Sequence, residues 1–434
     1  MPGKRATAGA GAPRSRRGSL LAPYAEIFAI PRAWRFSAAG IIGRMPMSMY
    51  GLGTVLLISA GTGRYGLAGS VSAAGSVGGA ACAPQLGRLV DRLGQHRVLV
   101  PVCLAFTLAV AAMTAAVLLR APDWTLFACG IAGGAAMPQT GPMARARWSA
   151  LLAGSPRLHT AFSLESVADE LCFVIGPAAV TLLATQLDPA AGIGCAALCA
   201  LAGSLWFASQ RSTEPAPAAA PVSPAAEQGR PQPGGRGPRL AAPSLVVLLP
   251  VYVFIGAMFV TVDLSTVDFA ARSGHKALAG LILGCYALGS ATGGLWYGSR
   301  TWRAPARRRM AVSLALTVAG VSTFWAVPNL LVLAVVIYLC GLAIAPTLIA
   351  GYSVLADTAR PGRDTEAMTW LSTGISVGLA CGATGAGFVL DALGPRWGYA
   401  AAAISGVTAT LIYLAGLRRV AAGQAGHVSV SGSS

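Results

Sequence analysis

The strongest constraint on this chain of 434 residues is a succession of twelve apolar stretches, each near the length a helix needs to cross a lipid bilayer. A hydrocarbon core about 30 Å thick takes roughly 20 residues of α-helix. The stretches cover 35 to 59, 65 to 86, 98 to 119, 124 to 145, 162 to 187, 190 to 209, 243 to 264, 277 to 298, 310 to 327, 329 to 355, 367 to 390 and 396 to 417. Only Pro328 and Asn329 separate the ninth from the tenth. With 55% hydrophobic residues, 11% charged and a mean hydropathy of +0.63, the chain is too apolar for a soluble domain, in which about a quarter of residues are charged. The expectation is an all-α integral membrane protein of twelve transmembrane helices.

Charge sets the orientation. The net +17 is spread in small groups between apolar stretches, which excludes a nucleic-acid surface and fits the rule that basic residues stay on the cytoplasmic side. With the N-terminus inside, 26 of the 32 Lys and Arg are cytoplasmic; only Arg64, Arg120, Arg272, Lys276 and Arg396 lie outside, and Arg44 is within the membrane. Both termini are then cytoplasmic. No apolar core follows the basic residues at the start, so a signal peptide is not expected. The nine cysteines all lie in apolar stretches and read as packing residues, with no disulfide framework or metal site. Richness in Ala, Gly and Arg with scarce Lys points to a GC-rich bacterial genome, hence the plasma membrane.

Residues 211 to 239 hold seven Pro in 29 positions and no apolar period, as expected of a cytoplasmic linker. The expected organisation is a cytoplasmic tail over 1 to 34, a six-helix bundle over 35 to 210, the linker, a second bundle over 240 to 417 and a tail over 418 to 434. The halves echo one another. Ala-Ala-Met-Pro138 and then Pro156-Arg-Leu-His-Thr160 precede the fifth stretch, and Ala-Ile-Ala-Pro346 and then Pro361-Gly-Arg-Asp-Thr365 precede the eleventh. Parallel repeats with a binding site between them are one transporter architecture.

Between the second and third stretches stands Gly87-Arg-Leu-Val-Asp91-Arg92-Leu-Gly94-Gln95-His96-Arg97. Gly87 permits close helix approach, Gly94 a tight turn, and Asp91 amid Arg92 and Arg97 can make charge-assisted contacts across a closing interface. This loop resembles the signature loop of the major facilitator superfamily. It departs at Gln95 and His96, where that pattern has basic residues. The second copy, Gly298-Ser-Arg300-Thr-Trp302-Arg303, has Trp302 where the acid would fall, so gating is expected to be asymmetric between the halves. The resemblance implies two pseudo-repeated bundles around a central cavity.

Ionisable residues inside a span point to function, usually with a partner. Arg44 lies about ten residues into the first stretch. Glu165, Asp169 and Glu170 lie in the fifth, with Glu165 and Asp169 four apart on one face. The two stretches run the same way and are neighbours in the fold that the loop resembles, so Arg44 is expected to pair with Asp169 or Glu170. The carboxylate left over becomes a candidate proton carrier. A static salt bridge with Glu165 solvated, or Arg44 bound to an anionic cargo, remain open readings. Asp263 is expected near the outer surface. Gly176-Pro177 resembles the beginning of the fifth-helix motif of drug/proton antiporters in the superfamily, although Ala178, Ala179 and Val180 then depart from it, and an ordinary kink explains it equally. Arg145, Arg147 and Trp148 read as topology charges with an interfacial aromatic. Met45, Met47, Met49, Trp325 and Trp370 read as cavity lining or as packing.

No Walker A sequence, catalytic motif or soluble catalytic core is present, so the chain is expected to be neither an enzyme nor ATP-driven and to need no cofactor. The leading expectation is a monomeric secondary transporter in the lipid bilayer, with protons as coupling ion, that exports a small amphipathic or drug-like molecule. Uptake or symport of a small metabolite, and less so a membrane sensor, are the alternatives.

Overall fold

The computed structural model describes residues 22 to 217, 243 to 276, 278 to 359 and 362 to 431. Among them are sixteen α-helices, short 3-10 turns and no strand. The helices are α1 (Ala22–Phe28), α2 (Ala33–Arg44), α3 (Pro46–Thr62), α4 (Tyr65–Leu93), α5 (Gln95–Leu118), α6 (Asp123–Ala135), α7 (Thr140–Leu151), α8 (Leu158–Gln186) and α9 (Pro189–Ser209). After the linker come α10 (Pro243–Arg272), α11 (Leu278–Ser299), α12 (Ala306–Val321), α13 (Leu330–Gly341), α14 (Ile344–Ala356), α15 (Asp364–Leu393) and α16 (Pro395–Ser431).

Ten spans among the described residues are long and apolar enough to cross a membrane: α2 with α3, α5, α8, α9, α10, α11, α12 with the 3-10 turn after it, α13 with α14, α15 and α16. The second and fourth expected stretches differ for physical reasons. α4 has 29 residues but is diluted by small ones. Gly75 and Gly78 lie so close to the carbonyls of Gly130 and Ile131 in α6 that a Cβ there would sit within 3 Å of them. Small residues give up hydropathy for backbone contact, a packing mode frequent in membranes. The fourth stretch is interrupted between Ala135 and Thr140, around Pro138, and α6 and α7 are each too short to span alone. The tenth stretch breaks at the matching place, between Gly341 and Ile344, just before Pro346. Pro361 lies outside the described residues.

Asn329 caps α13, its side chain accepting the N–H of Val332, which explains the boundary after Pro328. The segment before the first stretch, expected as a loose tail, carries α1, whose Tyr24 and Ile27 are buried. Of the linker, residues 218 to 242 lie outside the described part.

Three large cores and a small one around Met49 hold the bundle. One joins Tyr50, Leu57, Val71, Phe106, Met113 and Leu126, all from the first half, and another joins Met258, Val262, Tyr286, Phe324, Ile337 and Tyr399, all from the second. The third mixes both halves and includes Phe36, Val90, Trp148, Phe162, Leu248, Met310, Leu355 and Met368. This shared core lies at the helix ends where the charge count expects the cytoplasm, and the private cores lie toward the opposite ends. Large side chains such as Leu108, Leu118, Leu281 and Phe388 stay exposed around the outside, as the apolar belt of a membrane protein requires.

Candidate functional site

At mid-span the chain breaks between α2 and α3, where Pro46 has no N–H to continue the ladder, and Arg44 ends α2 there. Its guanidinium is buried. One Nη donates to Asp169 Oδ1 at 2.8 Å, the other pairs with Glu165, and Nε donates to the Gly40 carbonyl at 3.1 Å. Arg145 of α7 donates to the other oxygen of Asp169 at 2.6 Å and lies over the Tyr352 ring, 4.3 Å from its centroid. Glu165 is fully buried and also accepts from Ser37 Oγ at 3.0 Å and Trp148 Nε1 at 2.9 Å. Two arginines and two carboxylates therefore cancel in charge. Asp169 alone among them keeps appreciable exposure, 26%.

This arrangement decides between the open readings of the acids and corrects that of Arg145, Arg147 and Trp148. Glu165 is not solvated: the helix places it four residues before Asp169, under the same guanidinium. Glu170 does not pair with Arg44, because it projects from a different face of α8 and accepts from Ser290 Oγ of α11 at 2.5 Å. Arg145, Arg147 and Trp148 are not surface groups; all are buried. Arg147 donates to Gln95 at 2.7 Å, to Thr213 at 2.9 Å and to the carbonyls of Gln210 and Phe207 at 3.0 and 3.1 Å. It thereby ties the start of the linker to the first half.

Asp91 lies beyond the membrane-spanning part of α4 and reaches the second half. Its two oxygens accept the backbone N–H groups of Thr365 at 3.1 Å and Glu366 at 2.8 Å, which are unpaired donors in the first turn of α15. Burial outweighs these bonds and pushes the Asp91 carboxyl up to about 6. Arg88 donates to Glu366 Oε1 at 2.9 and 3.1 Å, and Arg363 to Oε2 at 2.9 Å. A Cβ on Gly87 would sit 2.9 Å from Thr369 Oγ1 and 3.0 Å from Glu366 Cα. Arg92 and Arg97, expected to share in contacts across the closing interface, are exposed, and their side chains make no hydrogen bond or ion pair among the described residues. Gly94 has φ +95°, and two residues on the N–H of His96 donates to Glu214 at 3.1 Å, with the His96 ring also on that carboxylate.

The second copy of the loop is held by neutral bonds. Thr160 donates to the Gly298 carbonyl at 2.7 Å, Ser163 to Gly294 at 2.5 Å and Tyr24 to Leu295 at 2.9 Å, while Trp302 donates to Tyr297 at 2.9 Å. One inner seam between the halves is thus ionic and the other neutral.

Gly176 lies against α3, where a Cβ would run into Ser48 and Met49, and α8 continues through Pro177. The remaining cavity candidates do not converge. Met49 is packed with Val180 and Ala196, Met47 and Trp325 are exposed, and Trp370 rests on the shared core. Asp263 is partly buried rather than at the surface and interacts electrostatically with Glu170. All nine cysteines are free, and no cluster of three or more His, Cys, Asp or Glu suited to a metal occurs among the described residues.

The family model of the Major Facilitator Superfamily matches residues 36 to 269 and again 246 to 430. The chain belongs to this superfamily. No curated protein matches it. Among solved structures, the human organic anion transporter MFSD10 superposes with a TM-score of 0.67 at 20% identity, covering 88% of this chain and 100% of the other. A bacterial homologue of the iron transporter ferroportin, in an outward-facing state, gives 0.68 at 11% identity over 89% and 99%. The superfamily transporter FucP in its outward conformation gives 0.65 at 13% identity over 89% and 99%. The fold is that of a membrane transporter of this superfamily.

Proposed function

We propose that the chain is a secondary active transporter of the cell membrane, with twelve transmembrane helices in two six-helix bundles, and that it exports a small amphipathic or drug-like molecule against protons by alternating access. The conformation is read as outward-open. The shared core and both hydrogen-bonded seams lie at the cytoplasmic ends, while the outer ends keep separate cores.

The observation that carries the proton reading is Asp169, partly exposed and held between two buried arginines from different helices, with Glu170, the carboxylate left without an arginine, as the second candidate. Protonating Asp169 leaves Arg44 and Arg145 with one carboxylate, Glu165, so a positive charge is uncovered. A carboxylate poised in this way couples proton binding to rearrangement of α2, α7 and α8. Export is favoured over uptake by the Gly176-Pro177 resemblance. Proton symporters also share the fold, so the test must read direction.

The experiment is dye-monitored proton flux in oriented proteoliposomes under an imposed pH gradient, with a panel of amphipathic cations, antibiotics and small metabolites. Expected is cargo-dependent dissipation of the gradient, with cargo and protons moving in opposite directions, that disappears in Asp169→Asn although the variant still inserts folded. Cargo movement without proton movement, or unchanged coupling in Asp169→Asn, would overturn the reading.

A further inference from the structure

Beside the neutral network lies a second group of polar side chains that it does not satisfy. Glu170 comes from α8, Asp263 from α10, and Tyr286 and Ser290 from one face of α11. Among the described residues neither Glu170 nor Asp263 forms an ion pair. Glu170 has one hydrogen bond, from Ser290, and Asp263 has none. The Tyr286 hydroxyl is buried and has no hydrogen-bond partner, its residue is only 7% exposed, and it lies one turn before Ser290 on the same face of α11, within electrostatic reach of both carboxylates.

Two unpaired carboxylates and an orphaned hydroxyl inside a membrane bundle leave free energy that a ligand can recover. The basic residues nearest on α8's other side, Arg44 and Arg145, are already matched by Glu165 and Asp169. A positive charge with N–H donors satisfies every open group. A metal ion fits less well, since two carboxylates without a nearby His or thiolate cluster do not complete a coordination shell. Phe259, four residues before Asp263 and so on the same face of α10, is partly exposed and offers an aromatic wall to an organic body.

We propose that Glu170, Asp263 and Tyr286 bind the protonated amine of an amphipathic organic cation at the seam between the halves. The site lies one to two helical turns outward from the closed Ser163 to Gly294 contact, so a ligand there touches both halves at the edge of the inner closure. This names a cargo class for the transport reading and rests on that reading for its consequence, but binding is measurable without transport.

The test is equilibrium binding of radiolabelled 4-phenylbutylammonium to the purified full chain, against its N-acetyl amide, 4-phenylbutyrate and Mn2+. Expected is saturable binding of the ammonium, at least tenfold weaker binding of the amide and the carboxylate, and no displacement by micromolar Mn2+. Glu170→Gln and Asp263→Asn should each weaken binding at least tenfold, and Tyr286→Phe severalfold with an unchanged melting temperature, while the surface control Asp123→Asn has no effect. Equal binding of ammonium and amide, unaffected Glu170 and Asp263 variants, or displacement by micromolar Mn2+ would overturn the site. Ammonium bound but not carried across proteoliposomes would leave the site standing and remove the transport reading. Proton-coupled transport of other compounds without ammonium binding would do the reverse.

Discussion

Replacing Gly87 by Ala should open the inner gate. In the closed seam the added methyl meets Thr369 Oγ1 at 2.9 Å, which can rotate away, and Glu366 Cα at 3.0 Å, which cannot move without α15. Ordinary carbon contacts need about 3.5 Å or more, so α4 and α15 must separate by about 0.5 Å. The Asp91 bond to Glu366 then stretches from 2.8 Å and that to Thr365 from 3.1 Å, the second to about the limit of a hydrogen bond. Overpacking of this size costs about 1 to 3 kcal/mol, which corresponds to a shift of about 5- to 150-fold in the closed-to-open ratio. Ala is the better helix former by about 1 kcal/mol in both states, so the effect is one of conformation and not of folding. Spin labels on cysteines placed at Leu93 and Thr301, in a background without native cysteines, report the distance between the halves at the inner face. A new population at longer distance is expected. An unchanged distance distribution with unchanged stability would refute the steric argument.

Three further outcomes follow from named contacts. The Asp91 carboxyl, raised by burial in the closed seam beside Asp364, Glu366, Arg88 and Arg363, returns to its ordinary value when the gate opens; the closed state therefore holds the proton more tightly. The same spin-label distances should show the open fraction rising as pH climbs from about 4 through about 6 and levelling off above, and Asp91→Asn should flatten that dependence while slowing turnover without altering cargo preference. Arg44→Gln strands Glu165 in a buried site and should destabilise the protein by about 3 to 5 kcal/mol, read as a fall in melting temperature, with Arg44→Lys recovering only part because it lacks the fork that reaches both acids. Arg147→Ala removes four hydrogen bonds at the linker start and should speed protease cleavage near Thr213 without changing ligand affinity.

The membrane class and the turn at Gly94 were legible because length, hydropathy and turn chemistry are local, whereas Gly87 to Leu93, expected as a loop, continue α4. That Arg44 pairs with an acid of the fifth stretch was legible too, since both stretches run the same way and carry scarce charges at one depth, but not that the acids would be Asp169 and Glu165 rather than Glu170. Arg145 and Trp148 were not. Their burial comes from partners on other helices, Asp169 and Tyr352 for Arg145 and Glu165 for Trp148, which the local sequence does not show. Glu366 was missed for another reason: its partner Arg88 is 278 residues away, and nothing in the spacing links them. The signal available was Glu366 in the first turn of a helix, where an acid favours the dipole. Tyr286 carried no sequence signal at all, because an orphaned hydroxyl exists only once the neighbouring helices are in place.

The shared core has a thermodynamic consequence. Opening the cytoplasmic ends strips water-excluded surface from residues such as Phe162, Leu355 and Met368, at about 25 cal/mol per Å² exposed. In the alternating-access cycle proposed above that difference cannot go uncompensated, so the outer walls must bury a comparable apolar area as they close. The heat-capacity change between the two access states should then lie near zero, because it follows net apolar hydration. Their ratio would change with temperature far more gently than the size of either interface suggests.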